Sequence, residues 1–173
     1  MNTIDVLKNR RSIKSYKKDQ ISKEDLKKIL EAGTYAPTGM NRQSPVIVAI
    51  QDKNTIEQLS KLNAKILNAD VDPFYGAPTL LVVFADSNCS TYVEDGSLVI
   101  GNILNAAASL GIGSCWIHRA KEMFHTDEGK SYMKKWGLGE NYIGIGNCIL
   151  GYADKEYAVK PRKDNYIIMA DEL

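Results

Sequence analysis

Cations are the residues best placed to do chemistry in this chain. Arg10-Arg11-Ser12-Ile13-Lys14-Ser15-Tyr16 sets three fixed positive charges among serine hydroxyls. Arginine grips a phosphate with two parallel hydrogen bonds, and lysine adds a point charge. Far downstream, Lys160-Pro161-Arg162-Lys163 forms a second basic cluster. Two readings stand. Both clusters close on one phosphate-bearing ligand, or each is a solvated basic turn. Charge alone favours the second, since charged side chains mostly face water.

Other chemistries find little footing. Gly111-Ile112-Gly113 and Gly144-Ile145-Gly146 do not extend to GxGxxG and do not open a helix after a strand, so a dinucleotide fingerprint is absent. There is no GxxxxGK[ST] and no GxSxG. Cys89, Cys115 and Cys148 are odd in number, lack a CxxC and sit in or beside apolar runs, which reads as reduced thiols. With only His118 and His125 beside them, no zinc spacing arises, and no metal site is expected. Cys115 and His118, three apart on an expected strand, fall on opposite faces and make a poor nucleophilic pair. No nucleophile, metal cluster or carboxylate pair stands out. Chemistry carried by a bound cofactor fits that pattern, because the protein then supplies grip, orientation and electrostatics.

A net charge of +1 over 173 residues gives no reason to expect nucleic acid or an anionic membrane as partner. Length suits a single domain, 1–173. The longest apolar run, Leu80 to Ala85, is far short of the roughly 20 residues of a spanning helix. The start lacks a signal-peptide core, so a cytoplasmic protein is expected.

These residues must be held by a framework, and the pattern predicts one. A short helix over 3–9 delivers the chain into the basic stretch. Ser22 caps a second helix, with Asp25 bonding back in place of the usual Glu and Gly33 as its stop. Residues 35–45 form a shaped loop with Pro37, Gly39 and Pro45. Val46 to Ile50 reads as a buried strand. Asn54 and Glu57 suggest a capping box for a helix running to Asn68. Thr79 to Ala85 is a second central strand. Residues 94–110 are apolar or small on all sides, which predicts a core helix, capped by Gly111. A short strand follows at 114–118, a helix at 127–136 and a glycine-rich strand at 142–152. Tyr166-Ile167-Ile168-Met169 suggests a lone strand or an arm. The order predicts an α+β fold.

Four segments together resemble the FMN-dependent nitroreductase family, its small bacterial members in particular. They are Arg10 to Tyr16, Ala36-Pro37-Thr38-Gly39-Met40-Asn41-Arg42-Gln43, Leu110 to Ile117 at the end of the core helix, and Gly144 to Tyr152 followed by Lys160-Pro161-Arg162. They occur in the family's order over nearly the whole chain. The resemblance implies a central, mainly antiparallel sheet flanked by helices, a long core helix, and a homodimer that exchanges its C-terminal arm. It implies FMN shared between subunits and NADH or NADPH as transient electron donor in a ping-pong cycle. Small planar acceptors such as nitroaromatics or quinones would be reduced.

By the same resemblance, Arg10 and Arg162 hold the phosphate, with Ser12 and Lys160 joining and Arg11 beside them. Lys14 reaches the pyrimidine end of the flavin, where a cation favours the charge that reduction brings. Pro37, Thr38, Gly39, Met40, Asn41 and Gln43 come from the other subunit, and the backbone of Ile117, His118 and Arg119 lies beside N5. His118 and Arg119 stand where many larger members carry an acidic residue and glycine. On the residues alone, Pro37 and Gly39 also suit a plain turn, Asn41 and Gln43 surface amides, and Trp116 and Tyr152 core aromatics. Two other functions remain open: an FMN-binding module without turnover, and a specialised flavin reaction such as reductive dehalogenation.

Overall fold

The computed structural model describes residues 2–170; residues 1 and 171–173, the ends of the expected 1–173 domain, lie outside the described residues. Its frame is a four-stranded sheet, every neighbouring pair antiparallel, in the order β1-β2-β4-β3. The strands are β1 (Val46–Ile50), β2 (Thr79–Asp86), β3 (Gly113–Ile117) and β4 (Tyr142–Gly151). β2 is buried along nearly its whole length, as an unbroken apolar run predicts. β1, expected to be buried, is instead an edge strand with Ala49 exposed. β-Branched composition reports a strand but not its place in the sheet.

Helices α1 (Thr3–Asn9), α2 (Lys23–Thr34), α3 (Lys53–Leu67), α4 (Tyr92–Ser109), α5 (Ala120–His125) and α6 (Asp127–Lys135) surround the sheet. One apolar cluster joins α3, α5 and α6 to one face through Leu59, Phe84, Phe124 and Met123. The other joins α2 and α4 to the opposite face through Ile29, Val83, Ile100 and Ile103.

Local chemistry sets the helix ends. Ser22 caps α2: its Oγ accepts from Asp25 N–H at 3.0 Å and donates to Asp25 Oδ2 at 2.8 Å. α2 then runs through Gly33, the expected stop, to Thr34. A Cβ at Gly33 would lie 3.0 Å from both Ile103 and Ile47, so this glycine serves a close helix crossing and not a helix end. α3 is capped by Asp52, whose Oδ2 accepts from Thr55 N–H at 2.8 Å; the expected Asn54 lies inside the first turn. α5 had no sequence expectation.

α4 departs most from its reading. It buries Val99, Ile100, Ile103 and Ala107, but Val93 and Leu98 are each 47% exposed. It is a core helix on one side only. From 158 to 170 the chain is exposed. The expected lone strand at Tyr166–Met169 does not form; a 3-10 turn covers Asp164–Tyr166, and Ile167, Ile168 and Met169 stand in solvent. An apolar strand needs a partner edge, and nothing in this chain pairs with these residues among those described.

Candidate active site

The basic stretch is a strap laid along the sheet. α1 ends where Arg10 N–H donates to the Val6 carbonyl at 2.9 Å. Ser12 then bridges in parallel to Ser114 of β3, and Ile13 N–H donates to the Ser114 carbonyl at 3.0 Å. Lys14 N–H donates to the Tyr157 hydroxyl at 3.0 Å, and Lys17 N–H to the Tyr152 carbonyl at 2.8 Å. In an extended strap alternate side chains share a face, which puts Ser12, Lys14 and Tyr16 together. Tyr16 donates to the Ile13 carbonyl at 2.7 Å, and burial pushes its phenol far above the ordinary range.

These side chains gather around Cys115. Burial raises its thiol pKa, while the Ser12 hydroxyl and the Lys14 and Arg10 cations pull the other way. Cys115 lines a cavity of about 270 Å³ with Lys14, Trp116, Ile117, His118, Arg119, Tyr75 and Asp72. Lys14 Nζ lies 5.7 Å from the centre of the Tyr75 ring, within cation–π reach. Lys14 and the 117–119 turn, more than a hundred residues apart, thus face one space. Cys115 and His118 share it too, although strand alternation put them on opposite faces: β3 ends at Ile117, and the chain turns before His118 points.

The turn is held from behind. Asn63 and Asn147, both fully buried, donate through Nδ2 to its carbonyls: Asn63 to His118 at 2.9 Å, Asn147 to Ile117 and His118 at 3.3 Å. Arg119 sits at φ 75°, a conformation costing a non-glycine residue on the order of 1–3 kcal/mol. Its Nε donates to Asn63 Oδ1 at 3.0 Å. Gly144 of β4 permits the close approach, since a Cβ there would lie 2.7 Å from the Ala120 carbonyl oxygen.

The donors fit a phosphate. Arg10 Nη1 and Ser114 Oγ are buried without a partner, as are Arg11 Nε and Nη2. Each buried unsatisfied donor costs about 1–3 kcal/mol, and phosphate oxygens would satisfy them. Arg11 is partly committed elsewhere, its Nη1 donating to the Lys8 and Arg10 carbonyls at 2.8 and 2.6 Å.

The second predicted segment lies apart. Thr38 and Gln43 border a different cavity, with Lys27, Leu30, Ile47 and Val99. The loop is nevertheless shaped: Gly39 N–H donates to the buried Asp95 at 2.9 Å, and Gln43 N–H to Thr38 Oγ1 at 3.0 Å. Met40, Asn41 and Gln43 have positive φ, and Pro37, Met40, Asn41 and Gln43 are exposed. Lys160 and Arg162 are also exposed, on a tail that meets the strap where Tyr157 accepts from Lys14 N–H. Within one chain, then, Lys14 and residues 117–119 border one cavity with Arg10 and Ser12 close to its Cys115, while Thr38 and Gln43 border another.

Sequence reasoning passed over Asn63, Asn147, Asp95 and Tyr75. A signal existed for the first two: an amide among core-facing apolar residues needs a partner. Asp95 and Tyr75 gave none. Among the described residues no group of His, Cys, Asp and Glu could hold a metal ion, and no helix is long and apolar enough to cross a membrane.

Residues 7–152 match the nitroreductase family. A putative NADH dehydrogenase/NAD(P)H nitroreductase of Archaeoglobus fulgidus is 35% identical over 85% of this chain and 83% of its own length. An FMN-bound nitroreductase from Bacteroides fragilis superposes with TM-score 0.90 at 29% identity, covering 98% of both chains. An FMN-bound nitroreductase from Desulfitobacterium hafniense gives 0.86 at 26% identity, over 97% and 98%. The family match spans most of the chain and the fold superposes over nearly all of it, and the protein belongs to the nitroreductase family.

Proposed function

We propose that residues 1–173 form one FMN-binding domain of an oxidoreductase that passes two electrons from NADH or NADPH to a small planar acceptor, such as a nitroaromatic or quinone. Bound FMN would supply the redox chemistry, accepting hydride and delivering it in a ping-pong cycle. The observation that carries this reading is the shared cavity. Lys14 and the 117–119 turn border it, with the partnerless donors of Arg10 on the adjoining strap and Ser114 on β3.

The chain's own residues then divide the work. Arg10, Ser12 and Ser114 would hold the phosphate, with Lys160 and Arg162 of the tail joining once the assembly forms. Lys14 would hold fixed positive charge against the pyrimidine end of the ring, where negative charge develops; such preorganised charge needs no reorganisation during reaction. The main chain at Ile117, His118 and Arg119 would lie along the ring, kept still by Asn63 and Asn147. No side chain of the cavity needs to act as nucleophile. Cys115 is kept protonated by burial, which agrees with that.

A homodimer completes the site in this reading. A 270 Å³ cavity is small against the ~300–1,000 Å³ of enclosing ligand sites. Residues 37–43 would supply the missing wall from the second copy. Apolar surface is available for the contact at Ile4, Leu7, Val93, Leu98, Ile167 and Ile168.

The test is anaerobic. Purified protein should show the oxidised-flavin spectrum, lose it on adding NADH or NADPH, and regain it when a quinone or nitro compound is added after the nucleotide is consumed. A flavin that binds but is never bleached by either nucleotide would leave only an FMN-binding module.

A further inference from the structure

The geometry points to Arg119 as a specificity-determining residue that favours an acceptor bearing a carboxylate; the inference rests on the reading of this cavity as the flavin site. Arg119 lines the cavity. Its Nε is tied to the fully buried Asn63, and no carboxylate among the described residues pairs with its guanidinium. Arg119 is half-buried, and among the described residues its Nη groups make no hydrogen bond. An arginine held at one end and unpaired at the other is preorganised, and binding to it loses less side-chain entropy.

The balance of charge in the cavity has the same sign. Its charged lining is Lys14, Arg119 and Asp72, with His118 alongside. Asp72 is engaged by its own loop and by α3: Oδ1 accepts from Ser60 Oγ and Phe74 N–H, and Oδ2 from Gly76 N–H. It makes no salt bridge with Arg119, and the two cations outnumber it in the lining. The phosphate of the cofactor would be met by Arg10 and Ser12 of the strap and Ser114 of β3, which leaves Arg119 for the acceptor. A planar aromatic with a carboxylate can stack in the cavity while its carboxylate takes the Nη edge as a charge-assisted pair.

The experiment compares para-nitrobenzoate with para-nitrobenzamide, matched in shape and differing in charge, on the FMN-loaded protein. The wild type should show kcat/KM about tenfold higher for the carboxylate, the scale expected of a charged hydrogen bond. That ratio should shrink as salt is raised. Arg119→Gln should bring it close to unity. Arg119→Gly should do the same and keeps the turn foldable, because glycine adopts φ 75° freely. Equal kcat/KM for both acceptors in the wild type would overturn the inference while leaving the flavin reading intact. So would loss of bound FMN in both variants, since Arg119 would then serve the cofactor. A wild-type protein that binds no FMN would overturn the flavin reading itself.

Discussion

Arg119 stands in a backbone conformation that glycine adopts without penalty, and its side chain shows what offsets the strain: one bond to Asn63, which in turn holds the His118 carbonyl. Arg10 is the complementary case, a buried donor with no bond to lose. Arg10→Ala should therefore leave the urea midpoint nearly unchanged. It should weaken FMN affinity by about tenfold or more, as loss of a charge-assisted contact implies. Fluorescence titration of the apoprotein checks this, and unchanged affinity would count against the phosphate assignment. The thiols give a second residue-scale prediction. Burial raises the pKa of Cys115 and of Cys148, so both stay protonated at neutral pH. Native protein should react slowly with a disulfide reagent and release three equivalents only on denaturation, matching its three free cysteines. Rapid labelling of Cys115 in the native state would show a thiol poised for chemistry.

At the scale of elements, the sequence disclosed whatever depends on near neighbours. The Ser22–Asp25 cap, the buried run of β2 and the helix ending at Asn68 follow from spacing of a few residues. What escaped depends on distant partners. Gly33 looks like a stop until Ile103 and Ile47 are seen against it, and β1 looks buried until its place at the sheet edge is known. α5 is six residues long, too short to show a period. The site divides likewise: the strap was legible as a dense set of donors, whereas Asn63 and Asn147 act only through folding.

Two substitutions probe these element contacts. Gly144→Ala drives a methyl into the Ala120 backbone and should lower stability by about 1–3 kcal/mol, read as a lower urea midpoint at unchanged slope. A neutral effect would mean β4 and α5 do not lie so close. Asp95→Ala removes the acceptor for Gly39 N–H and Thr91 Oγ1. Residues 37–43 should then loosen, and trypsin should cut after Arg42 faster than in the wild type. Equal cleavage rates would show that the loop is shaped without Asp95.

In the proposed homodimer, the whole molecule would present half of a site on each of two surfaces. Its charge is balanced, its cations are grouped, and its exposed apolar residues include Ile4 and Leu7 of α1, Tyr35 and Met40 before β1, Val93 and Leu98 of α4, and Ile167 and Ile168 of the tail. Within one copy, Thr38 and Gln43 border a different cavity from Lys14; in the proposed homodimer, two copies related by a two-fold axis would each lend the loop the other lacks. Leu98→Glu, on the open face of α4, should lower FMN occupancy by shifting copies toward monomer, although the residue lines neither cavity. Sedimentation velocity of the purified protein, followed in the oxidised-flavin band, tests the shared site most directly. The flavin should travel with a species of twice the chain mass and vanish from that band on anaerobic addition of NADH or NADPH. Flavin travelling with the single chain, or a protein carrying none, would contradict the account.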